Sequence, residues 1–219
     1  MGRGSVVPAS QRGSVRRHHS ASAGHSRGRW NHNIHYHPLV LGALPQDAHS
    51  ALDVGTGDGL LAIELCAVVE NVTAIDIDAD VLAAAESGAD GVTWVCDDVM
   101  THDFQRHFDA VVSIATMHHL PDLGAALRRL AELTSPGGVV VVIGLARSST
   151  LSDYLMDAVG LIWNRWLSWR RGYWEHSALT VWPPPQTYSQ VRQRVASELP
   201  GAHYQRLALF RYAVTWEKQ

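Results

Sequence analysis

Four carboxylates and two imidazoles follow short apolar runs at points where the backbone has to turn, and chain ends of that kind are where a fold presents chemistry. Asp53 stands in ALDVGTGDGLL, just ahead of glycines at 55, 57 and 59. Glycine at alternate positions lets a ligand approach the backbone closely, and a carboxylate beside it favours a cationic or hydrogen-bond-donating ligand over a pyrophosphate. Asp76 ends the β-branched run VTAIDI, about twenty residues further on, where a carboxylate can accept two hydrogen bonds from a ribose diol. Asp97 and Asp98 follow GVTWVC, and His118 and His119 follow FDAVVSIATM. Imidazole titrates near neutrality, so either histidine suits a general base.

A dinucleotide-binding turn, G-x-G-x-x-G, would need a third glycine where this chain has Leu60. That departure, together with Asp53, opposes an NAD(P)-dependent oxidoreductase. A ligand with an ammonium, a sulfonium and a ribose suits the loop better, and S-adenosyl-L-methionine has all three. Residues 51 to 61 resemble the first motif of the class I S-adenosylmethionine-dependent methyltransferases, and motifs from 51 to 145 agree with that family in type, order and spacing. The resemblance implies an α/β, doubly wound fold, a mostly parallel seven-stranded sheet with helices on both faces and an antiparallel last strand. It implies cofactor contacts from Asp53, Gly55, Thr56, Gly57, Asp76, Ile77 and Ala115. In the family an acidic residue past the third strand binds the adenine amino group while its neighbour's N–H meets the ring; Asp98 with Val99 fits by register, and Asp97 is the alternative.

The elements needed to hold these residues are visible as patterns. Ala51 to Val54, Val72 to Ile77, Gly91 to Val95, Phe108 to Ala115 and VVVVIGL after the turn SPGG form five strands, with helical spacing in LLAIELCAVV, in 79–87 and in LGAALRRLAEL. Ligands of such a sheet lie outside the carboxyl ends of its strands, so Ala115 through His119 face the methyl donor. Both histidines come after that strand end, and His119, the later one, has more reach across the cleft than His118 and is expected as the base. Thr187 and Gln190 frame a capping box for YSQVRQRVASEL, and HYQRLAL with RYAVTWEK form an antiparallel pair at the sheet edge.

Outside that frame, WNHNIHYHPLVLGALP reads as a helix broken near Pro38. It is expected over the cofactor mouth, with Trp30, His32 and Tyr36 in or beside an acceptor pocket. Its histidines have no nearby Cys, Asp or Glu to complete a metal site, and none is expected. Residues 146–186 occupy the slot of a substrate lid. Trp163, Trp166 and Trp169 recur there at threes and Trp174 follows, so Trp163 and Trp166 are expected to wall the acceptor.

At 219 residues and 46% hydrophobic content, the chain supports one substantial core, assigned to 29–219. Residues 1–28 are Ser, Gly, Arg and His with almost nothing apolar, the composition of a disordered tail. Six Arg and no acid in the first 30 residues leave 12 basic against 21 acidic side chains in the rest, so the body stands at −9. An acidic body argues against nucleic acid as partner, and the lack of a DPPY-type sequence after the fourth strand opposes base methylation. No run is long enough for a membrane span and no apolar signal core opens the chain, so a cytoplasmic location is expected. Cys66 and Cys96 offer neither a disulfide framework nor metal spacing. The reading is a methyltransferase acting by O- or C-methylation on a small, partly apolar molecule, in an oligomeric state the sequence leaves open. The alternative is a catalytically silent binding module built on the same fold.

Overall fold

Alternate residues of the central strands go to opposite sides of one sheet, and the chain's apolar patterning follows that period. Leu52, Val111, Val140 and Val142 enter one core, while Ala51, Ala110, Val112, Val141 and Ile143 enter the other. The computed structural model describes residues 30–86, 90–171 and 183–219. The tail 1–28, Trp174 and part of the segment 146–186 lie outside the described residues.

The sheet strands are β1 (Ser50–Val54), β2 (Asn71–Asp76), β3 (Val92–Cys96), β4 (Phe108–Ile114), β5 (Thr134–Leu145), β6 (His203–Arg206) and β7 (Arg211–Glu217), in the order β3-β2-β1-β4-β5-β7-β6. The first five are parallel, and β7 enters antiparallel between β5 and β6. Because the chain moves outward from β1 to β3 and then returns to β4 on the other side of β1, a crevice opens above the β1/β4 boundary.

Helices α4 (Leu123–Leu133) and α6 (Tyr188–Glu198) cover one face, where Leu127, Leu130, Val191 and Val195 bury against Leu52 and Val111. Helices α1 (His37–Gly42) and α2 (Leu60–Leu65) cover the other with Val40, Leu61 and Leu65. Helix α3 (Ala79–Glu86) joins β2 to β3, and α5 (Leu151–Arg171) follows β5. Asp122 caps α4 by accepting from Gly124 and Ala125 N–H, and the Thr187–Gln190 capping box is present at α6.

Three local expectations change. Pro38 sits in the first turn of α1, where its missing N–H is not needed, so it starts the helix after a 3-10 turn at Ile34–Tyr36 instead of breaking one. Helix α2 stops at Leu65, because the chain must turn through 66–68 to enter β2 at Asn71. SPGG is a bulge within β5: register passes from Phe108↔Thr134 to Ala110↔Val139, and Gly137 takes φ +77°. Lys218 secures that bulge, donating from Nζ to the carbonyls of Ala131 and Thr134 while its backbone pairs with Gly137 and Gly138.

Tyr212 of β7 is wholly buried opposite Gly144 of β5 and fills the room a side chain at 144 would take. Gly144→Ala should therefore lower stability by roughly 1–3 kcal/mol in a urea titration. Tyr212→Leu in the same chain should shrink that increment, since the pair is in direct contact. Independent, additive effects would show that the ring does not hold this position.

Candidate functional site

Three strands converge on the glycine loop after β1. From β1 itself, Asp53 is 2% exposed and accepts the Thr56 hydroxyl at 2.6 Å. From β2, Asp76 accepts the Gly57 N–H at 2.9 Å through one oxygen and the Asp78 N–H at 3.0 Å through the other. From β4, the Ser113 hydroxyl donates to the Val54 carbonyl at 2.9 Å and the Thr116 hydroxyl to the Gly55 carbonyl at 3.2 Å. Gly55 (φ +69°) has no space for a Cβ, which would overlap the Thr116 side chain. Gly57 (φ +52°) faces open space. The loop is thus pinned from below and bare above, the form of a cradle for a ligand that lies against backbone.

Burial pushes the Asp53 carboxyl up to about 6, and the neighbouring Asp76 carboxylate adds to that; the Thr56 hydroxyl, His37 and the Ala62 N–H pull the other way. A cation at the loop would favour the ionised form. Asp76 uses one acceptor position on each oxygen for the loop, and a carboxylate offers about four, so a diol can still be taken.

Beyond β3 the chain folds into a small turn. Asp97 accepts from its His102 neighbour at 2.8 Å, and that bond, with the Asp98 N–H, holds its carboxyl below the usual range. Asp98 accepts the Met100 N–H at 2.9 Å, and Val99 is buried beneath. Arg129 on α4 grips the turn from behind through the carbonyls of Val99 and His102. Asp97 N–H in turn donates to the Asp76 carbonyl at 3.1 Å, which brings both acidic sites to one rim. Ile77 is exposed at that rim.

After β4, Ala115 adopts φ +58°, a strained position for a residue with a Cβ, while its N–H bonds the Ile143 carbonyl. The chain reverses there into a single 3-10 turn, Met117–His119. That turn sends the two histidines different ways, although their rings remain 4.0 Å apart. His118 is 7% exposed, and burial, aided by His119 and Arg211, drops its imidazole to about 4. Its Nδ1 has no hydrogen-bond partner among the described residues. His119 is exposed; partial burial lowers it from its ordinary value and the Asp76 carboxylate opposes that.

On the acceptor side the structure differs from the sequence-based expectation. Trp30 and Tyr36 are buried in the core against α1 and β7, and the Tyr36 hydroxyl is spent on the Ala208 carbonyl. Neither offers an open face. His32 holds Asn164 of α5 at 2.9 Å, and burial lowers its imidazole from the ordinary value. Helix α5 docks through Asp157, Gly160, Asn164 and Leu167, whereas Trp163 and Trp166 meet each other as a tilted pair and remain 46% and 43% exposed. Sequence reasoning singled out neither Ser113 nor Arg129. A hydroxyl in the middle of an otherwise apolar strand end was the available signal for Ser113.

A methyltransferase-domain family model matches residues 52–142, from within β1 to within β5. An uncharacterized methyltransferase of Mycobacterium tuberculosis is 42% identical over 190 residues, covering 85% of this chain and 96% of that protein. A ubiquinone biosynthesis O-methyltransferase of Bradyrhizobium sp. is 30% identical, over 70% of this chain and 61% of its own length. Among solved structures, the N-methyltransferase NodS of Bradyrhizobium japonicum aligns with a TM-score of 0.56 at 16% identity, covering 84% of this chain and 95% of that one.

The cradle makes two requirements testable by binding S-adenosylhomocysteine. Gly57→Val should abolish binding while circular dichroism stays unchanged, because the side chain enters the open ligand space and meets no protein. Asp76→Ala should weaken binding by roughly 2–4 kcal/mol through loss of two charge-assisted bonds. Wild-type affinity in Asp76→Ala would remove that carboxylate from the site. With the strand order, the pinned glycine loop and the 42% relative in agreement, the chain belongs to the class I S-adenosylmethionine-dependent methyltransferases.

Proposed function

We propose that this chain methylates an oxygen or carbon of a small, partly apolar organic acceptor, with His119 as the general base. The observation that supports it most is the position of His119, exposed at the end of β4 and within electrostatic reach of Asp76 on the cofactor rim. The O-methyltransferase name of the Bradyrhizobium relative supports oxygen as the atom methylated.

When bound, S-adenosylmethionine supplies a methyl group on a positively charged sulfur, which in-line attack transfers as the sulfur becomes a neutral thioether. In our reading Asp76 holds the ribose, Asp98 and the Val99 N–H hold the adenine with Asp97 as the alternative, and Ile77 lies along the base. Gly55, Thr56 and Gly57 run against the methionine portion, and Ala115 flanks the reacting end. The left-handed turn at Ala115 directs His119 toward the cleft, where its neutral imidazole takes the proton that the acceptor loses. His118, at about 4, is too weakly basic to take that proton at neutral pH unless the bound state raises it, so it ranks second. His32 borders the acceptor side. Trp163 and Trp166 reach an acceptor only on the exposed side of α5.

Incubating the protein with methyl-labelled donor and a metabolite extract should put label into a small organic product. With that acceptor, His119→Ala should reduce turnover by roughly 10²- to 10⁴-fold and leave S-adenosylhomocysteine affinity nearly unchanged. A base works only when deprotonated, so kcat/KM should fall as pH drops through the His119 value, below the ordinary histidine range. An acid limb near 4 that moves in His118→Ala would reassign the role to His118. Full turnover in both variants would exclude a histidine base.

A further inference from the structure

His37 opens α1, is 4% exposed, and has no place in the acceptor chemistry. Its Nδ1 stands 3.1 Å from a carboxylate oxygen of Glu64 on α2, the helix that leaves the glycine loop, but out of line for a hydrogen bond. A neutral ring buried only for packing would be served by an aligned partner at that nitrogen, which this one lacks. A protonated ring, by contrast, gains from a carboxylate at this distance whatever the angle.

His37 also lies within electrostatic reach of Asp53, the buried carboxylate near the end of β1. Burial pushes that carboxyl up to about 6; the Thr56 hydroxyl, His37 and the Ala62 N–H favour its ionised form, and the Asp76 carboxylate on β2 opposes it. Among these groups only His37 can bring a full positive charge, which counts for more than a dipole where water is excluded. One ring from α1 thus touches the charge on β1 and the charge on α2, on either side of the loop that carries Gly55, Thr56 and Gly57.

We propose that His37, held by Glu64, is a positioning residue for the methyl donor: it supplies the counter-charge that keeps Asp53 a carboxylate, and so lets α1 set how well the glycine loop takes a cationic ligand. This role rests on our reading of Gly55, Thr56 and Gly57 as the cradle of the methionine portion, and it is independent of the acceptor. Above about 6 the Asp53 carboxylate is ionised and attracts an ammonium; as pH falls through that value the attraction is lost. Without His37 the carboxyl takes up its proton at higher pH, so the loss begins earlier. Where Asp53 is ionised in either case, His37 makes no difference. Asp76 and His119 face the same rim, and they act alike with His37 and without it.

The test is S-adenosylhomocysteine binding by the full chain from about pH 5 to about pH 8, with 5′-methylthioadenosine, which has no ammonium, as the neutral probe. In His37→Gln the affinity should match the wild type within about twofold at about pH 8 and lie roughly three- to tenfold below it at about pH 6, the result of moving a neighbouring carboxyl by on the order of one pH unit. Glu64→Gln, at a partly exposed position that disturbs folding less, should move the profile the same way by less; Glu64 is not among the groups that act on Asp53 directly, so its effect passes through His37. Neither substitution should change 5′-methylthioadenosine binding, nor S-adenosylhomocysteine binding in an Asp53→Asn background. Equal loss at every pH, or loss with both probes, makes His37 a packing residue and overturns the role. A profile that moves in neither His37→Gln nor Glu64→Gln overturns it as well, while the cradle stands if Asp53→Asn still weakens binding. Should Asp53→Asn alone keep the wild-type profile, the cradle reading falls together with the role of His37.

Discussion

The hydrogen bond from the Gly57 N–H to the Asp76 carboxylate ties the glycine loop of β1 to the end of β2, and most of the site depends on that junction. It fixes the loop at the height where a ligand can reach backbone, and it holds a carboxylate that would otherwise be free to rotate. The same strand end supplies a carbonyl to the Asp97 N–H, so the acidic turn after β3 is placed relative to the loop without direct contact between them. On the other flank, Thr116 occupies the volume a Gly55 side chain would need, which locks β4 to β1 at the crevice. Three strand ends are thereby held as one rigid rim before any ligand arrives, the condition for binding energy to go into orientation.

The adjacent histidines show how little separates an exposed imidazole from a buried one. A 3-10 turn advances about 120° per residue, so neighbours leave the backbone in different directions. His118 goes into the protein, where desolvation lowers it to about 4 and keeps it neutral across the physiological range. His119 goes outward and meets the field of Asp76, whose negative charge offsets part of the loss from burial. Reach past the strand end set an order of preference between the two from sequence alone, but the difference in their surroundings is a burial effect that no spacing contains.

Legibility in the sequence follows locality. The positions along the rim were readable because each part sits at the end of its own strand: Asp53 with its glycines, Asp76, the Asp97–Asp98 pair, and the turn after β4. Strand patterns in Val111, Val112, Ile114 and the Val139–Val142 run were equally plain, since their neighbours on both faces are buried. Boundaries moved where tertiary demands overrode local propensity, as at Pro38, Leu65 and the β5 bulge.

The acceptor side was not readable, for the opposite reason. Helix α5 is apolar over much of its circumference, so periodicity alone favours turning the tryptophans inward. The structure instead buries a stripe with two polar members, because those members have distant partners. Asp157 pairs with Arg206 on β6, and Asn164 with His32 before α1. Arg206 also stacks over Tyr188 at 3.6 Å and donates to the Leu207 and Arg211 carbonyls, joining α6, the β6–β7 hairpin and α5 at one cation. Arg211 extends the tie to Asn33. Four stretches of chain, from the N-terminal turn to the last strand, thus set the orientation of one helix through polar contacts between residues 49 to 178 positions apart. A partly buried polar network of this kind selects among apolar arrangements that hydrophobic burial alone would rank nearly equal, and here it leaves the tryptophan face outward.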